Sequence, residues 1–418
     1  MDSIKVINRN NEIVDLDFNR IKNRINKLID MEPKLRISSD IVAIKTISYL
    51  SELINTSDID NISANIAANM ITHHIDYDYL ASRTMISNLH KNTKDCYYET
   101  VKTINENMDN ILMDKLIKFA EVNIDFIKET IDYKKDYTFK YFGILVLIKS
   151  YLLKKDDNVF ERPQHMYMRV AIGLHLDQID TDGSTSEDVL EDIKKMYNLI
   201  SEGYYTHATP TLFNSGTNLS ALSSCFLLEA EDSVDGIYNT LRKCAFISKF
   251  SGGIGVHVSQ IRAKGSKIRT TGGVSEGLVK MLKVYDTMTN HMSQGGGKRK
   301  GSIAIYFELW HADVMELLDC ILPMSAGDES LLCRNLFFAA WIDDLFFERL
   351  EKAWTDRSND YYWSLFCPNI SKNLVNLYGD DFKQLYEKYE SEKMYIKQIN
   401  ILDIWYKILK VLEESGRL

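Results

Sequence analysis

The sequence lacks several features that would assign it to a class at once. Positive charge is not in excess, because 50 Lys and Arg residues stand against 59 Asp and Glu residues and leave a net charge of −9. Proteins that bind a nucleic-acid backbone usually have a basic excess, so this balance argues against nucleic acid as a general partner. The first residues show no basic end followed by an apolar core, and the apolar run YFGILVLIKSYLL is too short to span a bilayer. We therefore expect a cytoplasmic protein with no membrane partner.

Cysteine is sparse and follows no ligand pattern. The six cysteines include no C-x-x-C pair, so the sequence predicts neither a metal site nor the disulfide framework of a secreted protein. Cys225 stands in an apolar run, and from the residues alone we expect a buried, unreactive thiol in a strand. The other cysteines are Cys96, Cys244, Cys320, Cys333 and Cys367.

Internal repeats, heptad arrays and low-complexity linkers are absent from the 418 residues. At about 150 residues per domain, this length predicts two or three domains, and the 45% hydrophobic content is ample for their cores. The character of the sequence changes twice. We therefore predict domains at residues 1–95, 96–221 and 222–418.

The three stretches differ in their periodicity. The first begins with two short β-prone runs around Arg9, Asn10 and Asn11, followed by helical patterns, one of them capped by Ser39 and Asp40. The second keeps a helical period throughout and is rich in aromatic residues. In the third, the apolar runs SSCFLLEA, GIGVHVSQI and SIAIYFELW alternate with helical stretches and glycine turns. This alternation is typical of an α/β sheet or barrel.

Two glycine-rich basic segments do not match the common nucleotide-binding motifs. In SGGIGVHVS, Gly253 and Gly255 supply G-x-G, but Val258 stands where the third glycine of a Rossmann fingerprint belongs, and a strand follows instead of a helix. SQGGGKRKGS lacks the order of a P-loop. Solvated turns are one interpretation. With AKGSKIRTTGG, three such loops occur within ninety residues. This number favours a second interpretation, in which backbone N–H groups and arginines hold a phosphorylated small molecule.

Longer motifs support a resemblance to a known family. RPQHMYMRVAIGLH, THATPTLFNSGTN, LSSCFLLEAEDSVDGIYNTL, SKFSGGIGVHVSQIRAKGSKI and QGGGKRKGSIAIYFELWHADVMELLD resemble, in order and spacing, the large subunit of class I ribonucleotide reductase of the eukaryotic and viral type. The resemblance runs from residue 4 to the end of the chain. It implies an α/β protein with an N-terminal, mainly helical ATP-cone, a helical layer, and the first half of a ten-stranded α/β barrel.

The resemblance also implies a chemistry. In this family a metal-containing small subunit supplies a radical to a barrel cysteine, whose thiyl takes the 3′-hydrogen of a ribonucleoside diphosphate. A pair of other cysteines then reduces the substrate and is itself reduced by an external thiol. Cys225 matches the first cysteine of that pair, Thr209 and Ser224 match substrate contacts, and Gly253 matches a backbone contact. The structural alternative for Thr209 is that it only starts a turn before Pro210.

Effector sites are implied as well, with ATP and deoxynucleoside triphosphates as ligands and no covalently bound cofactor. Gln294 and Arg299 match the mobile loop that contacts effector or substrate base, with a solvated basic turn as the alternative. The specificity site lies at a homodimer interface in the family. Its matching residues are Asp232, Ser233, Val234, Lys249, Arg262 and Arg269.

The match is looser in the cone. NRNN replaces the usual KRDG, which removes a lysine and the turn glycine, so regulation by dATP is an open question. Arg20 stands where a lysine is usual. The residues at activity-site positions are Arg9, Arg20, Ile21, Thr56, Asp60 and Lys91.

The sequence ends at IWYKILKVLEESGRL, before the family's radical cysteine, its general-base glutamate and the partner of Cys225. We therefore expect no catalysis by this chain alone. Three interpretations remain open. The chain is half of a split or interrupted reductase that needs the missing C-terminal half as a partner, or a truncated product or gene remnant, or a non-catalytic nucleotide-binding regulator. An intact Cys225 and Thr209 favour the first two.

Overall fold

The computed structural model describes residues 5–51, 53–219, 221–250, 252–294, 299–324, 329–356 and 361–418, without the side chains of 293–294 and 299–300. The chain divides into two compact units, Met1–Leu222 and Ser223–Leu418. Residues 1–95 and 96–221, which the sequence suggests as separate domains, fall together in the first unit.

The first unit begins with the predicted hairpin. β1 (Lys5–Ile7) lies between β2 (Ile13–Asp15), to which it is antiparallel, and β3 (Ile54–Asn55), to which it is parallel. Asn11 has a φ of 62° in the hairpin turn, a left-handed conformation that asparagine tolerates better than most residues. Asn11 thus replaces the turn glycine of the usual KRDG without loss of the turn.

Helices make up most of the first unit. The predicted cap of the second helix was wrong by one residue, because the Ser38 side chain accepts a hydrogen bond from the backbone N–H of Asp40 and the helix begins at Ser39. A 3₁₀ helix spans Tyr133–Thr138 and a π-helical turn spans Leu147–Tyr151. The other elements are α1 (Phe18–Ile29), α2 (Ser39–Ser48), α3 (Thr56–Asn69), α4 (Asp76–Asn92), α5 (Tyr97–Asn107), α6 (Asp114–Val122), α7 (Ile124–Thr130), α8 (Tyr141–Val146), β4 (Lys154–Lys155), β5 (Asn158–Val159), α9 (Pro163–Gly173), α10 (Glu187–Ser201) and α11 (Thr209–Asn214).

The second unit is built on a four-stranded parallel sheet in the order β11-β10-β7-β6. Helices connect its strands, as parallel pairing requires. The predicted runs around Cys225, Gly253 and Ile303 all form strands. The elements are β6 (Cys225–Glu229), α12 (Val234–Lys249), β7 (Gly253–His257), α13 (Gly277–His291), β8 (Ser293–Gln294), β9 (Arg299–Lys300), β10 (Ile303–Glu308), α14 (Val314–Ile321), β11 (Leu336–Trp341), α15 (Asp344–Asp356), β12 (Tyr362–Leu365), α16 (Gly379–Ser391), β13 (Lys397–Asn400) and α17 (Ile401–Ser415), with 3₁₀ helices at Glu329–Leu331 and Leu374–Asn376.

The two faces of this sheet differ. Alternate residues such as Val256 and Ile305 are fully buried in a core that includes side chains of α13 and α14. The opposite face carries Cys225, Leu227 and Trp341, all of them exposed. Leu227 is 81% exposed and Trp341 57%. Cys225 therefore lies on an open face, and the expectation of a buried thiol was wrong.

Two further observations concern what the described residues do not form. No helix among them has the length and apolar character needed to cross a membrane. Within the same ranges, no group of three or more His, Cys, Asp or Glu side chains is placed to hold a metal ion.

Candidate functional site

Three of the predicted substrate residues meet at the amino ends of β6 and β7. Cys225 pairs in register with Gly253, and the Gly253 N–H donates to the Ser224 carbonyl at 2.6 Å. The Ser224 hydroxyl donates to the Cys225 sulfur at 3.5 Å. A side chain at position 253 would place its Cβ 3.3 Å from the Ser224 oxygen, so glycine keeps this corner open. The arrangement presents a thiol, a hydroxyl and a bare backbone to one solvent-accessible spot.

The remaining predicted substrate residues belong to other elements. Thr209 belongs to the first unit, where it starts α11 and its hydroxyl lies 3.1 Å from that of Tyr151. Gln294 and Arg299 pair through their backbones as β8 and β9. Their side chains, and residues 295–298 between them, lie outside the described part of the chain.

Three of the six predicted specificity residues lie together at the opposite, carboxyl ends of the strands. The Arg262 guanidinium Nε lies 2.8 Å from Asp232 Oδ2, and the Arg262 backbone N–H donates to Asp232 Oδ1 at 3.2 Å. Ser233 caps α12, with its hydroxyl accepting from the Gly236 N–H at 2.9 Å. In open parallel sheets, ligands bind at the carboxyl ends of the strands. An arginine beside a helix N-terminus is well suited to a phosphate there.

The other three specificity candidates are on α12 and in the loop that follows β7. Val234 is exposed in the first turn of α12, and Arg269 is exposed in the turn closed by the Lys267–Val274 bridge. Lys249 ends α12, where its ammonium lies 5.4 Å from the centre of the Phe250 ring. Since α12 has 16 residues, Lys249 is roughly 24 Å from Ser233 along the helix.

A set of anchors missed by sequence reasoning shapes the loop from Arg262 to Gly277. Buried Asp313 accepts backbone N–H groups from Lys264 and Leu278, each at 3.1 Å. The His311 ring donates to the Ile261 carbonyl at 2.7 Å. Both residues belong to the quoted segment QGGGKRKGSIAIYFELWHADVMELLD, but nothing in its pattern indicates this role.

Two further contacts tighten the same loop. The Ala263 N–H donates to the sulfur of buried Cys367 at 3.3 Å. Gly277 has a φ of 81°, and a Cβ there would meet Asp313 Oδ2 at 2.7 Å. The loop is therefore fixed at both ends by groups distant in sequence.

In the cone, buried Asp60 gathers the predicted activity residues. Arg9 Nη2 lies 3.0 Å from Asp60 Oδ2, and Lys91 Nζ lies 3.7 Å from the same oxygen. Arg24, which the sequence did not single out, contacts Asp60 Oδ1. Burial, with the charges of Arg24 and Arg9, lowers the pKa of Lys91 to about 8. A single carboxylate among three cations leaves a site with excess positive charge.

The other activity candidates occupy different positions. Thr56 is half-buried at the start of α3, one turn before Asp60. Ile21 packs against the core of the cone. Arg20 is 79% exposed and pairs with Asp17 at 3.7 Å, away from the Asp60 cluster.

The carboxyl ends of the strands also hold a group of acids that sequence reasoning missed. Glu308 and Asp343 are buried, and burial raises their pKa values to about 8 and about 7. Glu308 lines a cavity of about 370 Å³ together with Leu227, Tyr306 and Trp341. Its Oε2 has no hydrogen bond from any described residue and lies 4.0 Å from the His257 ring.

Comparison with known proteins gives a consistent assignment. Residues 4–92 match the family model "ATP cone domain", residues 137–220 match "Ribonucleotide reductase, all-alpha domain", and residues 223–418 match "Ribonucleotide reductase, barrel domain". The chain belongs to the family of ribonucleotide reductase large subunits.

Named relatives of the chain come from eukaryotes and viruses. Ribonucleoside-diphosphate reductase large subunits from Plasmodium falciparum (isolate Dd2), Arabidopsis thaliana and Variola virus are 40%, 41% and 41% identical to it, each over 98% of this chain. The aligned part covers 49%, 49% and 52% of those proteins, respectively. The chain thus spans about half the length of the curated relatives it matches.

Proposed function

We propose that this chain supplies the effector-binding sites and one reducing cysteine of a ribonucleoside-diphosphate reductase. The observation that supports this most is the exposed thiol of Cys225 beside Ser224 and Gly253, on the open face of the half barrel. A regulator that only binds nucleotides has no use for a thiol in that place.

The proposed reaction uses Cys225 as an electron donor. Cys225 and a second cysteine, not among the six of this chain, give up two electrons and two protons and form a disulfide. These electrons and protons convert the C2′–OH bond of the ribose into a C2′–H bond, and the hydroxyl leaves as water. An external thiol then reduces the disulfide. The radical that starts the reaction comes from a metal-containing small subunit.

The other cysteines of the second unit do not suit the role of that partner. Cys244, Cys320, Cys333 and Cys367 are all buried. Burial raises the pKa of Cys244 to about 12, which disfavours its thiolate. The remainder of the barrel, on this polypeptide or a second one, is therefore proposed to provide the partner cysteine.

Arg262, Asp232 and the N-terminus of α12 are proposed to bind the triphosphate and sugar of a deoxynucleotide effector. Arg269 and Val234 are proposed to complete the pocket. Lys249, at the far end of α12, would then enter from a second copy of the chain, which supports a homodimer. Thr209, Gln294 and Arg299 remain proposed substrate or loop contacts, and the cytoplasmic location stays a prediction.

A binding experiment tests the specificity site. dTTP is titrated into the purified chain by calorimetry, because the cone is expected to take adenine nucleotides instead. Arg262→Ala should abolish dTTP binding, since it removes the paired donors. Lys264→Ala, which removes one exposed charge from the same loop, is the matched control and should bind normally. Unchanged binding in Arg262→Ala would refute the assignment.

A further inference from the structure

The Asp60 cluster contains a cation, Arg24, that the sequence did not assign to it. Its members come from four elements: Arg9 from the β1–β2 turn, Arg24 from α1, Asp60 from α3 and Lys91 from α4. Asp60 neutralises one positive charge and leaves two. Such an excess in a half-buried place is stabilised by a multiply charged anion.

Arg24 has donors that the protein itself does not satisfy. Its Nε and Nη2 atoms are buried and have no hydrogen-bond partner among the described residues. Buried guanidinium N–H groups without acceptors are rare and costly. Burial and the neighbouring charge of Arg9 lower the pKa of Arg24 to about 10, as expected for a crowded cation. An anion in the cluster would accept hydrogen bonds from the unsatisfied Arg24 N–H groups and would offset the repulsion between Arg24 and Arg9.

A cavity next to the cluster has the size of a nucleoside site. Asn88 accepts a hydrogen bond from Arg9 Nη2 at 2.5 Å and also lines a cavity of about 760 Å³. Ser57, Asn61 and Asn92 contribute further polar groups to its wall. Ligand pockets commonly fall between about 300 and 1,000 Å³.

Arg20 and Arg24 are one turn apart on α1, yet their environments differ. Arg20 is 79% exposed, whereas Arg24 is 23% exposed and contacts Asp60. We propose that Arg24, and not Arg20, is the α1 residue that binds the phosphate oxygens of a nucleoside triphosphate in the cone, together with Arg9 and Lys91. This inference rests on the proposed effector-binding function.

The test measures ATP binding to the full chain by calorimetry. All proteins carry Arg262→Ala, so that only the cone site is left. Arg24→Ala and Arg24→Gln should each weaken ATP binding roughly ten- to hundredfold, the usual effect of losing a charge-assisted hydrogen bond. Arg24→Lys should restore part of the affinity. Arg20→Ala, the matched control one turn away, should bind as the parent does. Far-ultraviolet circular dichroism identifies any variant that fails to fold.

The outcomes separate this inference from the function on which it rests. If the parent binds ATP, Arg9→Ala loses it and both Arg24 variants keep it, the Arg24 assignment is wrong and the cone site stands. If Arg20→Ala weakens binding as much as Arg24→Ala, the distinction between the two arginines is wrong. If the parent does not bind ATP, both the cone function and the Arg24 role are refuted.

Discussion

Glu308 occupies an environment that opposes its ionisation. Burial is the main cause of its raised pKa, and the charge of Asp343 is the second. Contacts with Trp310 and Ser259 lower the pKa in part, and Glu229 raises it further. Since the pKa of about 8 lies above the ordinary 4.5, the folded chain binds a proton that the unfolded chain releases.

This environment predicts a pH-dependent stability. The contribution of protonated Glu308 is fully present below about pH 4.5 and is lost as the pH rises through about 8. The thermal unfolding midpoint should therefore fall between pH 6 and pH 9. In Glu308→Gln the unfolding midpoint should fall less over this range. Part of the fall should remain, because the pKa of Asp343 is also raised by burial. Scanning fluorimetry over that range measures the midpoint, with the exposed Glu351→Gln change as control. If the midpoint changes equally with pH in the parent, Glu308→Gln and Glu351→Gln, the prediction is contradicted.

At the residue scale, the motifs predicted individual site residues but not every neighbour of those residues. Cys225 and Arg262 were predicted from quoted segments and Asp60 from the looser match in the cone, and each has polar neighbours in the structure. Arg24 was missed because its assignment depends on Asp60, which lies 36 positions away and contacts it only after folding. The exposure of Cys225 was also missed, because an apolar run does not reveal which face of a sheet is covered.

At the element scale, one carboxylate anchors both ends of the loop from Arg262 to Gly277. Asp313 accepts the N–H groups of Lys264 and Leu278 at both ends of the loop. Fixed at its ends, the loop holds Arg262 beside Asp232. The position of Arg262 in the proposed specificity site is thus set from the N-cap of α14, the next crossover helix.

Asp313→Ala should therefore loosen the loop and weaken effector binding. Two N–H groups, one buried and one partly buried, would lose their acceptor, which costs about 2–6 kcal/mol at about 1–3 kcal/mol each. We expect a lower urea unfolding midpoint and at least tenfold weaker dTTP binding. Urea titration and calorimetry measure the two effects. Glu316→Ala, an exposed change on the same helix, should alter neither, and an equal loss in both variants would contradict the anchoring role.

The elements themselves were largely predictable. The opening hairpin and the runs that form β6, β7 and β10 followed from alternation and turn residues. The helix cap at Ser38 was placed one residue late, because neighbouring polar residues look alike in sequence. The anchoring of the loop by His311 and Asp313 could not be derived, since hydrogen bonds between positions 50 apart leave no periodic signal.

At the scale of the whole molecule, the second unit contains a parallel sheet with one open face. Parallel sheets in proteins are normally covered on both faces. Here Leu227, Phe337 and Trp341 are exposed on the same face as Cys225. The open face agrees with the sequence-based expectation of the first half of a barrel, and it is the surface on which the remaining half would be expected to pack.

The central claim is that this chain supplies a working half of a reductase. The most direct measurement is cytidine diphosphate reduction by the chain with a class I small subunit and a separately expressed C-terminal half of a related large subunit. The claim predicts turnover that requires all three proteins, is lost in Cys225→Ser and persists in Cys96→Ser. No turnover in the complete mixture while dTTP binding is retained, or turnover that survives Cys225→Ser, would contradict it.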